Sequence, residues 1–215
     1  GSPVLAPFAV MNAVGLVAFA LVGASKAVRE EFDLFGVVVV GLATAFAGGV
    51  TRDLLVNRVP LALQAPAEVG FGLLGVALAV ALPAVHGAPE DRPVVASSDA
   101  AGLAAFATAG AIVAAETGLS GVGVVAVATV NAVGGSVVAD LLLDRSPFVL
   151  LEDFYATCAL LGGTAYWALL ALGAGGSAAA VGCAATTLAT RLLAVTYGWR
   201  LPTARALVRA GRDRR

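Results

Sequence analysis

Charge is scarce in this chain. Of its 215 residues 13% are Asp, Glu, Lys or Arg, while 60% are hydrophobic and the mean hydropathy is +0.94. A soluble domain carries about 25% charged residues, so a globular or disordered chain is excluded. The net charge of −1 provides no polyanion-binding surface and excludes a nucleic-acid binder. The two cysteines, Cys158 and Cys183, lie in apolar stretches without a CxxC pattern, and His86 is the one histidine. A disulfide scaffold and a metal centre are therefore not expected. Nucleophile–base pairs and phosphate loops are missing as well. Gly134-Gly135-Ser136 lacks the GxSxG pattern of a nucleophile elbow, so no enzyme is expected and no cofactor is implied.

What remains is a polytopic membrane protein. A membrane helix takes about 20 mostly apolar residues, at about 1.5 Å rise each. Seven such stretches run at 8–28, 35–56, 66–84, 99–117, 121–143, 153–173 and 178–198, divided by charged or Pro/Gly-rich connections. The fold expected is all-α, with seven transmembrane helices. The first stretch lacks a basic leading region and carries Lys26 near its end, unlike a cleaved signal. Placing the C-terminus inside assigns Lys26, Arg29, Arg92, Arg145 and the arginines from Arg191 to Arg215 to the cytoplasm, and only Arg58 to the outside. That asymmetry predicts an outside N-terminus in a prokaryotic plasma membrane. The basic tail over 200–215 is expected to meet anionic lipid head groups.

The chain repeats itself. Shifted by 87 residues without a gap, 13–60 matches 100–147 at 21 of 48 positions, including Gly15/Gly102, Phe19/Phe106, Gly23/Gly110, Asp53/Asp140, Arg58/Arg145 and Pro60/Pro147. Apolar helices resemble one another by composition, but matched Asp, Arg and Pro in one register indicate duplication. The units are 11–84 and 98–173, followed by a seventh helix over 177–199. Three spans per unit is an odd number, so the second copy enters the membrane inverted. This architecture is typical of transport proteins.

Candidate functional residues gather on spans two and five. Gly48-Gly49 and Gly134-Gly135 occupy nearly equivalent places. A glycine pair permits close helix packing; it also permits a kinked or unwound turn facing a wet cavity, and two equivalent pairs followed by carboxylates favour the kink. Arg52, Asp53 and Asp140 are ionisable residues inside spans, which are costly there and mark paths or pairs. Arg52 and Asp53 point about 100° apart on a helix, so Arg52 is expected to reach Asp140 or another polar group of the opposite half. Snorkelling is the alternative for these three. Thr44, Thr51, Asn131 and Ser136 either line a hydrated path or bond between helices. Lys26, Glu68 and Glu116 read as snorkelling residues near span ends, and His86 as solvated.

The pattern GLVAFALVGASKA…FDLFGVVVVGLATAFAGGVTRDLL…P, repeated as GGSVVADLL…P, resembles the prokaryotic branch of the trimeric intracellular cation (TRIC) channel family over residues 11–198. The resemblance implies a homotrimer with one pore per protomer between kinked second and fifth helices, permeated by monovalent cations, chiefly potassium with some sodium. In animal members a Lys-Glu-Val motif after the glycines contacts an anionic phosphoinositide, so lipid is an implied partner. Arg52-Asp53-Leu54 stands at that place here, and Ala139 replaces Arg52 in the second repeat. The same duplicated domain has also been described as a glycine transporter. The expectation is thus a potassium-permeable channel whose pore and gate involve Lys26, Thr44, Gly48, Gly49, Thr51, Arg52, Asp53, Asn131, Gly134, Gly135, Ser136 and Asp140. A small amino-acid carrier and a non-conducting assembly subunit are the rivals.

Overall fold

The computed structural model describes residues 5–86, 93–151 and 154–201. The basic tail beyond 201 and Arg92, both used above for orientation, lie outside the described residues, as does the side chain of His86. Among the described residues seven α-helices follow in order: α1 Leu5–Arg29, α2 Leu34–Leu55, α3 Pro66–His86, α4 Pro93–Glu116, α5 Gly121–Leu142, α6 Ala156–Ala171 and α7 Gly176–Tyr197. Five of them, α1, α2, α4, α5 and α7, are long and apolar enough to cross a membrane; α6 is a shorter apolar helix, and α3 is apolar over Pro66–Leu82. Among the described residues there is no strand.

The local chemistry of the helix ends is duplicated. Asp33 accepts from the Gly36 amide ahead of α2, and Ser120 accepts from the Gly123 amide ahead of α5, 87 residues on. Both are side-chain caps for orphan N–H groups. Past the C-ends of α2 and α5, Asn57 and Asp144 take the same left-handed turn, each at φ 56°. The next amide in each case, of Arg58 or Arg145, bonds back to the carbonyl of Asp53 or Asp140 at 2.8 Å. This is a Schellman closure, and it sends the chain into a 3-10 turn, Leu61–Leu63 or Phe148–Leu150.

Two helix crossings build the centre, and each is reciprocal. Where α1 meets α4, the rings of Phe19 and Phe106 stand edge to face at 5.1 Å. A Cβ on Gly102 would strike Phe19, and one on Gly15 would strike Phe106. Where α2 meets α5, a Cβ on Gly48 would run into the Asn131 carbonyl, and one on Gly135 into the Thr44 carbonyl. Each contact maps onto the other by the same 87-residue shift. Reciprocity of this kind is what a two-fold axis requires. The residue pairing also runs in opposite directions along α2 and α5, so the two are antiparallel.

The outer helices break the symmetry. Gly75 of α3 lies against the Val17 carbonyl and Ala20 of α1, but its counterpart Gly162 of α6 lies against Thr187 and Cys183 of α7. The seventh helix packs on both α4 and α6.

Candidate permeation site

The close approach of α2 and α5 dictates the rest. Both run as unbroken helix through their glycine pairs, so the unwound turn expected at Gly48-Gly49 and Gly134-Gly135 is absent. Glycine serves here by lacking a side chain. Gly48 and Gly135 let a neighbouring carbonyl touch the helix surface, and the Gly134 Cβ position lies 3.1 Å from the Gly48 Cα. Gly49 differs: nothing comes nearer its Cβ position than Arg52 Nη2 at 3.8 Å and Asn131 Oδ1 at 4.0 Å.

Thr44 and Asn131 are fully buried beside this contact. Thr44 donates to the Val40 carbonyl at 2.6 Å; Asn131 Nδ2 donates to the Phe106 carbonyl at 2.5 Å. Asn131 Oδ1 is buried with no hydrogen-bond partner among the described residues. Ser136 is buried against Tyr155, Oγ to OH 3.3 Å. Thr51 is not brought to the crossing. It is exposed, and its hydroxyl turns back to the Ala47 carbonyl.

Asp53 and Asp140 flank the contact, one at the C-end of each helix, each about 10 Å along the axis at 1.5 Å per residue. An Asp in a last turn faces the negative end of the helix dipole, a disfavoured placement. Each carboxylate is therefore held twice. Asp53 accepts from Arg52 Nε through Oδ1 and from the Leu61 amide through Oδ2, both at 2.8 Å. Asp140 accepts from Lys26 Nζ at 2.8 Å and from the Phe148 amide at 3.1 Å. The amide donors open the equivalent 3-10 turns, so this part of the arrangement is duplicated. The cation is not.

Two expectations are corrected by these pairs. Arg52 does not cross to the opposite half. Its Nε, one atom short of the guanidinium carbon, reaches the neighbouring Asp53, and this leaves Nη1 for Asn12 Oδ1 at 3.3 Å. The 100° between adjacent side chains is bridged because the arginine stem folds back along the helix, with its guanidinium over the Phe8 ring at 5.3 Å. Lys26 does not snorkel. Its side chain is 14% exposed, pairs with Asp140 of the other repeat and lies over the Phe148 ring at 5.0 Å. The link between repeats exists, made by Lys26.

Four participants escaped the sequence reading: Asn12, Asp99, Tyr155 and Arg191. Glu68, expected to snorkel from a span end, accepts from Asn12 Nδ2 at 2.6 Å. In the second half Tyr155 donates to Asp99 at 2.9 Å. These two bonds are equivalent, since Asn12 and Glu68 map onto Asp99 and Tyr155 by 87 residues. That the shift aligns polar with polar at both positions was the available signal. Arg191 of α7 completes the second cluster, Nη2 3.5 Å from Asp99 and its guanidinium 4.6 Å from the Tyr155 ring. Outside the helices, Arg145 pairs with Glu30, tying the α5–α6 connection to the α1–α2 connection at the Lys26 end.

Cavities reach each cluster. One of about 340 Å³ is lined by Phe8, Arg52, Asp53, Arg58, Gln64 and Glu116. Another of about 460 Å³ is lined by Ser97, Asp99, Arg191 and Trp199. Among the described residues no group of His, Cys, Asp and Glu is arranged to hold a metal ion.

Comparison with known proteins agrees with this architecture. A family model described as Glycine transporter matches residues 9–84 and again 96–171, two stretches that also differ by 87. The UPF0126 membrane protein of Deinococcus radiodurans is 40% identical over 162 residues, 74% of each chain. The UPF0126 inner membrane protein YadS of Escherichia coli is 29% identical over 201 residues, 90% of this chain and 94% of that one. Among solved structures, a TRIC cation channel studied for its conductance superposes with a TM-score of 0.81 at 34% identity, over 91% of this chain and 96% of that one. The TRIC trimeric intracellular cation channel orthologue from Rhodobacter sphaeroides gives 0.81 and 34%, over 89% and 98%.

Proposed function

We propose that this chain, a multi-pass membrane protein that belongs to the glycine transporter family, works as a monovalent-cation channel with potassium among its permeating ions. The reading is supported by its likeness to the TRIC cation channels. The observation that carries it is the pair of buried carboxylates, Asp53 and Asp140, set on either side of the α2/α5 contact and each held by a cation. Intramembrane ionisable residues mark ion pathways, and acidic side chains supply the negative potential that favours cations.

The path follows the α2/α5 seam, and the conformation described is its closed form. Backbone contact at Gly48 and Gly135 seals the middle. Arg52 and Lys26 occupy the carboxylates at the two ends. Opening separates α2 from α5, frees one oxygen of each carboxylate and exposes the Thr44 hydroxyl and Asn131 Oδ1, which replace part of the ion's hydration. The protomer works within a homotrimer in a prokaryotic plasma membrane, N-terminus outside, with lipid against its apolar faces. Unitary currents from purified protein in a planar bilayer under a potassium chloride gradient test the proposal. Reversal near the potassium equilibrium potential is expected.

The family's description favours a second reading, a glycine carrier. Two ionic locks on opposite sides of a sealed crossing also suit alternating access at an inverted-repeat interface. Saturable glycine uptake by liposomes that carry no current would select it.

A further inference from the structure

The two repeats solve one electrostatic problem with cations from different places. In the first, Arg52 lies on the helix that carries Asp53 and touches Asn12, which holds Glu68. In the second, the position equivalent to Arg52 is Ala139, fully buried. The residue equivalent to Asn12 is the acid Asp99, held by Tyr155. Arg191 comes in from α7, outside the duplication, and sets its guanidinium against Asp99 and over Tyr155. Its presentation is built into α7. Cys183, Thr187 and Arg191 recur every four residues and form one buried stripe, and Thr187 closes on Gly162 so that α7 lies flush against α6.

We infer that Arg191 takes at Asp99 the place that Arg52 takes at Asn12, while Lys26 takes Arg52's other place, at Asp140, and that through Arg191 α7 positions helix α5. The chain of contacts runs from Arg191 to Asp99, to Tyr155 and on to Ser136 of α5, four residues before Asp140. Phe148, whose amide holds Asp140, packs its ring on Tyr155 at 4.8 Å. Arg191 therefore reaches the Asp140 lock from two directions. It is a positioning residue, and α7 is part of the control of the seam. The consequence for conduction rests on the channel reading; the substitution itself does not.

Symmetry supplies the test. Arg191→Ala removes the cation at Asp99, whereas Ala139→Arg installs one at the position of Arg52, which in the first repeat reaches Asp53 and Asn12, the counterparts of Asp140 and Asp99. Each change alone lowers the thermal midpoint in detergent: the first strands the Asp99 carboxylate, and the second forces two guanidinium groups into one place. The double variant Arg191→Ala/Ala139→Arg recovers to within about 2 °C of wild type, a shift well below that of one lost buried ion pair. In bilayers Arg191→Ala raises open probability several-fold at unchanged unitary conductance, and the double variant reverses this. A merely structural role for Arg191 in α7 packing would not be rescued from α5. Losses that add in the double variant, or a double variant that does not fold, overturn the inference. Thermal rescue in a protein that never conducts leaves the substitution standing and removes the channel reading.

Discussion

Lys26 of the first repeat holds Asp140 of the second, Nζ to Oδ1 2.8 Å, and this bond joins the two halves at one end of the α2/α5 seam. The counterpart of Asp140 in the first repeat, Asp53, takes its cation from the adjacent Arg52 instead. One lock therefore spans the repeat interface and the other lies within a single helix, so the two ends are not equivalent.

Removing a single partner of the spanning lock is expected to be the more damaging change. Lys26→Ala strands Asp140 in a site of low dielectric, a loss of roughly 3 kcal/mol. The double variant Lys26→Met/Asp140→Asn removes both charges and is expected to recover most of that loss. Thermal or denaturant unfolding in detergent measures both. Equal destabilisation by the single and double variants would contradict the pairing.

The glycines separate sharply. Gly48→Ala and Gly135→Ala each drive a Cβ into a backbone carbonyl, which has no side-chain freedom to yield. Overpacking of this kind costs about 1–3 kcal/mol, and the two variants are expected to match because the contact is reciprocal. Gly49→Ala makes only ordinary van der Waals contacts, the nearest at 3.8 Å, and gains up to about 1 kcal/mol of helix propensity. A thermal scan of the three variants checks the order; a Gly49→Ala loss as large as that of Gly48→Ala would refute it.

The first polar cluster accepts conversion into the second. Asn12→Asp alone places two carboxylates side by side at Glu68 and is destabilising. Adding Glu68→Tyr recreates the Asp99–Tyr155 pair next to Arg52, and stability is expected to return. A double-mutant cycle reads the coupling, with roughly 1–2 kcal/mol expected in favour of the double change.

The duplication, the number of helices and the prominence of Asp53 and Asp140 are written in the chain as apolar lengths and an ungapped register. Which cation meets which carboxylate is not, because it depends on where three helices bring long side chains. Helical angle alone separates Arg52 from Asp53, yet the flexible arginine stem closes that gap. Lys26 stands near the end of an apolar run, where snorkelling and a cross-repeat bond look alike from sequence. Arg191 stands near the C-end of α7, where the charge asymmetry places it among the cytoplasmic arginines; its spacing of four from Thr187 and eight from Cys183 marks it as inward-facing. The glycine pairs are legible as special but not as to purpose. Contact and unwinding call for the same residue, and the unbroken run of α2 and α5 with the partner carbonyls of Asn131 and Thr44 decides between them.

The central claim is that Asp53 and Asp140 serve one cation path along the α2/α5 seam. Single-channel recording of wild type, Asp53→Asn and Asp140→Asn in a potassium chloride gradient tests it most directly. The account predicts unitary currents reversing near the potassium equilibrium potential in wild type, and in both variants a reversal potential moved toward zero or a unitary conductance lowered several-fold. Wild-type currents that persist with unchanged conductance and selectivity in both variants would contradict it.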